Sequence, residues 1–320
     1  MENILLDIED LSIDYSVQNG MLSAADSINL QINKGEIFAL VGESGCGKST
    51  VASAIMRLLD EENTRISGKI LYEGKNLASL SKTDMEKVRG KEIAMIFQNP
   101  LDSLNPVYTT GYQVAESLLL DGMNKKEAYE HVLDLYKQVK IPDPQRRMGS
   151  YPHELSGGMR QRVMIAMMLS RNPKFLIADE PTTALDVTVE AQILEILLQE
   201  REKREMSVLM ITHNFGVVAE VADRVGVMYA GQLVEIADVN TIFANPCHPY
   251  SIALIGALPK ITKKEGRITT IIGSVPRILK KKEGCRFCNR CEYATKQCEE
   301  ETPKLTEVEP EHFVKCHKRG

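Results

Sequence analysis

Three short strings carry residues whose types and spacing could act on a polyphosphate: GESGCGKST from Gly42 to Thr50, LSGGM from Leu155 to Met159, and FLIADE from Phe175 to Glu180. The first fits GxxxxGKS on Gly42, Gly47, Lys48 and Ser49 and follows the apolar run Ile37, Phe38, Ala39, Leu40, Val41, the strand, loop and helix setting that a phosphate loop requires. Glycine lets the backbone curl so that consecutive amide N–H groups converge on a β-phosphate, and a helix expected to start near Lys48 adds its positive dipole end. Lys48 is expected to reach the β- and γ-phosphates and the Ser49 hydroxyl to coordinate Mg²⁺. Ser44, Gly45, Cys46 and Thr50 complete the nucleotide-binding loop, with Cys46 as a small filler at a variable position.

Phe175 to Ala178 reads as a buried strand whose end presents Asp179 and Glu180 at the sheet edge where ligands bind. Asp179 suits a metal-bound water, and Glu180 suits the in-line hydrolytic water. A second strand, Val208 to Ile211, delivers Thr212 and His213, which could bond the γ-phosphate or orient water. Gln98, after the apolar run Ile93 to Phe97, is placed to touch Mg²⁺ or water. In LSGGM, Ser156, Gly157 and Gly158 open a helix and form a second anion-binding helix start. One nucleotide does not need two such cradles from one chain, so the second is expected to close over ATP held by a partner's phosphate loop in a head-to-tail dimer.

These residues must be held by particular elements. Alternating apolar positions in Ile4 to Tyr15, Ser27 to Ile32 and Lys69 to Tyr72 predict an antiparallel sheet beside the nucleotide core. Lys125 to Val139 and Gly158 to Ser170 predict helices, with Pro142, Pro144 and Pro152 breaking the chain between them. Residues 99–170 therefore read as an inserted helical subdomain carrying LSGGM.

Length and composition agree with one ATPase domain, because 320 residues with 43% hydrophobic content can bury a sizeable core and the phosphate motif occurs once. No apolar run approaches the roughly eighteen residues of a membrane span, and Met1 to Asp10 lacks the pattern of a targeting segment, so the chain is expected in the cytosol. A net charge of −5 with pI near 5.8 argues against a nucleic-acid partner.

With these motifs in this order, the chain resembles ABC-type ATP-binding subunits over roughly residues 4–320. The resemblance implies an α/β P-loop NTPase fold of the ABC type, with an antiparallel β subdomain, an inserted helical subdomain and a small cysteine-rich C-terminal extension. It assigns Ala184, Leu185 and Asp186 to the D-loop, His213 to the switch, Gln98 to γ-phosphate sensing, and Tyr15 to stacking on adenine. Longer strings, among them IAMIFQNPLDSLNPV, YPHELSGGMRQRVMIAMMLSRNP and NPCHPYSIALIGALP, look like dipeptide and oligopeptide importer ATPases, a subgroup that includes nickel importers. Asn214 stands where that family usually carries Asp.

The implied assembly has a second, related ABC ATPase, two transmembrane permease subunits and an external substrate-binding protein, with this subunit peripheral at the cytoplasmic face of the membrane. Residues near Leu101 to Val114 would face the membrane subunits. The alternative from another class is an ABC ATPase with no transporter. Residues 1–250 read as the ATP-binding domain and 251–320 as the extension.

Past Tyr250 come two basic stretches, Lys260 to Glu265 and Lys280 to Glu283, read as solvated linkers, and then five of the seven cysteines: Cys285, Cys288, Cys291, Cys298 and Cys316. In a reducing cytosol such clustering favours a metal over disulfides, and spacing alone does not separate zinc from an iron–sulfur cluster. The importer resemblance, through GCRF, RC, a later Cys and a final CH, implies Cys285, Cys291, Cys298 and Cys316 as ligands of a [4Fe–4S] cluster. Cys288 makes a CxxCxxC run, so a ligand set including it stays open. The expected role is a structural staple for a tail without a core of its own.

Overall fold

The computed structural model describes residues 3–18, 20–98, 103–182, 187–258, 273–279 and 283–319. Asp186, with Ala184 and Leu185, lies outside them, as do Leu101 of the expected permease-facing surface and the lysines of both basic stretches. The chain divides into two compact units, one formed by Met1–Ser79 with Met210–Gly320 and the other by Leu80–Leu209.

The first unit holds the predicted antiparallel sheet: β1 (Ile4–Val17), β2 (Gly20–Asn33), β4 (Thr64–Tyr72) and β5 (Lys75–Asn76), in the order β2-β1-β4-β5. The apolar alternation of β1 changes phase midway, with Leu6 and Ile8 buried and then Leu11 and Ile13. A β-bulge explains this. The register slips between Ile8 and Leu11, and Asp10 takes a positive φ of 48°. On β4, Gly68 faces the bulge, where a Cβ would stand 2.5 Å from the Asp10 carbonyl oxygen.

The same unit carries β3 (Ile37–Val41), β9 (Arg224–Tyr229), β10 (Gln232–Asp238), β11 (Thr306–Glu309) and β12 (His312–Val314), in the order β11-β12-β10-β9-β3. β3 runs parallel to β9 and is buried along its whole length, as its continuous apolar sequence requires. The C-terminal hairpin β11–β12 adds to β10 through antiparallel pairing. A buried polar group fastens it: Glu235 accepts from the Cys247 and His248 backbone amides at 2.6 and 2.8 Å, and its carboxylate lies 2.8 Å from His312 Nε2. The tail also contributes Phe287 to the hydrophobic cluster around Tyr229 and Tyr250, so its anchoring residue packs in a core shared with the sheet strands.

In the second unit β6 (Ile93–Ile96) and β7 (Phe175–Asp179) pair in parallel, and helices surround Val132, Leu135, Tyr136, Val163 and Ile165. The two predicted helices span Lys125–Gln138 and Gly157–Leu169, within a residue of the sequence pattern. Asn124 and Ser156 cap them by accepting from the amides of Glu127 and Met159. Between them the prolines do more than break the chain. Pro144 begins the short helix Pro144–Met148 and Pro152 begins a 3₁₀ turn, because a first-turn proline gives up an amide that would have no partner there. A final strand, β8 (Ser207–Thr212), crosses the boundary between the units in sequence. Among the described residues no helix is long and apolar enough to cross a membrane.

Candidate functional site

The phosphate loop leaves the end of β3 at Gly42, and its glycines answer to distinct steric demands. Gly42 (φ 153°) and Gly47 (φ 110°) would each place a Cβ 2.2 Å from a backbone oxygen, that of Met228 and of Ala24 respectively. Gly45 (φ 80°) faces open space, so its need is conformational alone. Helix Lys48–Ile55 starts at Gly47 with no side chain capping it, which leaves the dipole end and early amides directed at the loop. Lys48 is only 5% exposed, and its Nζ donates to the carbonyls of Gly42 at 2.8 Å and Glu43 at 3.2 Å. A buried lysine at a helix start beside early backbone amides is a combination suited to an anion. Ser44 and Ser49 are exposed and Thr50 is half-buried, while Cys46 is buried and burial pushes its thiol pKa up.

Three groups that the sequence reading did not assign hold this loop. The Glu43 amide donates to Tyr250 Oη at 2.9 Å, the Gly231 amide donates to the Cys46 carbonyl at 2.8 Å, and Arg290 donates to both Glu43 carboxylate oxygens at 2.7 and 3.0 Å. Tyr250 and Arg290 lie 207 and 247 positions away from Glu43, beyond the reach of any local pattern. In the same unit, Tyr15 is half-buried on β1, opposite Leu22 and Thr64. His213 is exposed just past β8. Asn214 caps helix Phe215–Val221, its side chain accepting from the Gly216 amide at 3.0 Å. Asn and Asp cap equally well, which accounts locally for the residue at this position.

The second unit brings together Gln98 and Glu180, whose strands are parallel neighbours. Gln98 Nε2 donates to Glu180 Oε2 at 2.9 Å. Asp179 is buried at the end of β7, and Glu180 turns the chain with a φ of 47°, a conformation uncommon for a residue with a side chain. In LSGGM, Leu155 is buried while Ser156 and Gly157 are exposed. Gly158 abuts Val189, where a Cβ would approach to 2.8 Å, whereas a Cβ on Gly157 would meet nothing within 4 Å. The buried Gln161, another residue the sequence reading passed over, donates to the Pro181 carbonyl at 2.5 Å, tying the LSGGM helix to the chain after Glu180.

The five tail cysteines are free thiols and line one cavity of about 230 Å³, together with Phe287, Tyr293 and His317. Burial pushes the Cys285 thiol up to about 11 and raises Cys288 and Cys291 too, so they stay protonated unless something replaces their protons. A single zinc with Zn–S near 2.3 Å needs sulfurs roughly 3.8 Å apart. Among the described residues, the group that converges within 4.8 Å is Glu235, Cys247 and His312, and the tail cysteines are not in it. Five thiols on one cavity wall are the donor chemistry that either zinc or an iron–sulfur cluster takes.

Residues 25–183 match the family model described as ABC transporter, and residues 234–298 match the oligopeptide/dipeptide transporter C-terminal region. The chain is 45% identical to a probable peptide ABC transporter ATP-binding protein of Sinorhizobium fredii, covering 98% of this chain and 95% of that protein. It is 44% identical to the dipeptide transport ATP-binding protein of Escherichia coli, covering 98% and 96%. The oligopeptide transport ATP-binding protein of Bacillus subtilis is 46% identical, covering 97% and 88%. Among solved structures, a dimeric ATP-binding cassette in a post-hydrolysis state with ADP and Pi superposes with a TM-score of 0.66 at 26% identity, covering 73% of this chain and 99% of that one.

Proposed function

The chain belongs to the ATP-binding proteins of ABC transporters, and from that premise we propose that it binds and hydrolyses ATP to energise import of dipeptides or oligopeptides. The observation that carries this reading is the buried Lys48 at an uncapped helix start, inside a loop whose Gly42 and Gly47 have no room for a side chain. That arrangement grips a polyphosphate.

In this reading Tyr15 stacks on adenine, and Gly42, Ser44, Gly45, Cys46, Gly47 and Thr50 wrap the phosphates. Lys48 exchanges its carbonyl partners for β- and γ-phosphate oxygens, and Ser49, Gln98 and Asp179 hold Mg²⁺ directly or through water. Mg²⁺ supplies charge neutralisation at the phosphates. Glu180 orients the attacking water with His213, and positioning and electrostatics carry most of the rate. Ser156, Gly157 and Gly158, with Asp186, close over the nucleotide of a partner ATPase. The open space at Gly157 supports this, since the chain's own packing does not require a glycine there.

The partner is read as a related ATPase, and the pair as docked on two permeases at the cytoplasmic face, with peptide delivered by an external binding protein. Residues 1–250 are read as the ATPase domain, with 99–170 as its helical part and 251–320 as the extension. Cys285, Cys291, Cys298 and Cys316 are read as holding a [4Fe–4S] cluster, with Cys288 on the same cavity wall. The cluster would staple the tail.

Purification from solubilised membranes, followed by assay of Mg²⁺-dependent ATP turnover and of labelled dipeptide uptake in cells lacking the gene, tests this function. Co-purifying permeases and lost uptake are expected; ATP turnover with ribosomal or DNA partners in place of permeases would overturn it.

A further inference from the structure

We propose that Arg290 is a positioning residue for the phosphate loop, so that the cysteine-rich segment sets the affinity of the ATP site through the Arg290–Glu43 ion pair. The inference rests on the proposed seating of ATP on that loop. Glu43 is the loop's second residue and is held at every polar group. Its amide donates to Tyr250 Oη, its carbonyl accepts from the Cys46 amide at 3.2 Å and from Lys48 Nζ, and its carboxylate receives the Arg290 fork.

Arg290 sits between Cys288 and Cys291, and its side chain is 8% exposed. It lies over the rings of Tyr229 and Phe287 at 5.6 and 6.0 Å and donates to the Gly273 carbonyl at 3.2 Å. The guanidinium is thus fixed on the tail side by packing and aimed at the loop on the other. A bidentate pair whose arginine side is largely removed from water holds direction as well as distance.

The neighbouring Arg286, next to Cys285, reinforces the arrangement. It donates to the Asp26 carboxylate at 2.6 Å and to the Ala230 carbonyl, and Gly231 after Ala230 donates to the Cys46 carbonyl on the far side of the loop. The two arginines of the cysteine-rich segment therefore brace both limbs of the loop that presents amides to phosphate. Any ordering of this segment by its ligands stiffens the ATP site. By linkage, nucleotide on the loop must reciprocally stiffen the segment.

ATP affinity of the full chain, measured without turnover for wild type, Arg290→Gln, Glu43→Gln and the double variant, tests the proposal, alongside the rate at which iodoacetamide alkylates Cys288 with and without ATP. Each single substitution should weaken ATP binding about tenfold, and the double should be no weaker than either single, because both remove one coupled contact. Arg290→Lys should recover only part, since an ammonium cannot form the fork. The loss should fall on KM more than kcat, and ATP should slow Cys288 alkylation in wild type but not in Arg290→Gln. Wild-type affinity in Arg290→Gln, or losses that add in the double variant, overturns the proposal while Lys48→Ala still abolishes binding. If Lys48→Ala binds ATP normally, the seating of ATP itself is wrong.

Discussion

Gln98 clamps Glu180: the amide donates to the carboxylate at 2.9 Å across the ends of two parallel strands, β6 and β7. This bond engages Glu180 Oε2. In the proposed mechanism Gln98 would turn toward Mg²⁺ once phosphate and metal are in place, releasing Glu180 to orient water. Glu180 itself turns the chain with a φ of 47°.

Glu180→Gln is expected to lower phosphate release by roughly 10²–10⁴-fold, the range for loss of a positioned base. ATP binding should persist and a closed dimer should accumulate. Phosphate-release kinetics combined with size-exclusion chromatography in ATP check this. Normal turnover would remove Glu180 from its assigned role.

The two LSGGM glycines should respond differently to alanine. Gly158→Ala pushes a methyl into Val189 and should cost about 1–3 kcal/mol of stability. Gly157→Ala meets open space, so thermal unfolding should be unchanged or slightly later, while ATP turnover collapses because the methyl enters the partner's nucleotide site. Paired melting and turnover measurements on both variants separate the effects. Equal turnover in Gly157→Ala and wild type would leave this glycine outside any shared site.

Anaerobically prepared protein should contain iron and acid-labile sulfide. Cys285→Ser, Cys291→Ser, Cys298→Ser and Cys316→Ser should each lose most of it, and Cys288→Ser should retain it. Zinc without sulfide, or loss of iron in Cys288→Ser, would redraw the ligand set.

Burial holds His248 well below its usual range, at about 4 in the fold against 6.5 when exposed. Its Nδ1 accepts from the Tyr250 amide at 3.0 Å, which needs the neutral ring. Between those two values the unfolded chain takes up a proton that the folded chain refuses, so stability falls as pH drops from 6.5 toward 4 and is unaffected above. The full loss is on the order of 3 kcal/mol. Denaturant titrations at several pH values should show this slope, and His248→Asn, which keeps a capping acceptor, should flatten it.

Contiguous strings made the nucleotide machinery legible, because a phosphate loop, a capped helix start and a strand ending in two acids are each set by neighbours in sequence. Gly42 to Thr50, Ser156 at its helix start and Asp179 at its strand end appear where their spacing placed them. The phase change in β1 was less accessible, since the bulge at Asp10 depends on Gly68 of another strand. Likewise, the prolines after Val139 read as breaks, and only the geometry of the first turn converts two of them into helix starts.

By itself the sequence determined the parts on which the proposed chemistry rests: the Gly42–Thr50 loop, the acidic strand end, the second capped helix start and the supply of thiols. Tertiary structure alone decided how those parts are braced. Arg290 reaches Glu43 across 247 positions, His312 meets buried Glu235 across 77, and five cysteines spread from 285 to 316 share one cavity wall. Local patterns encode backbone conformation, whereas a long-range ion pair exists only after the sheet and core that carry its two ends have closed.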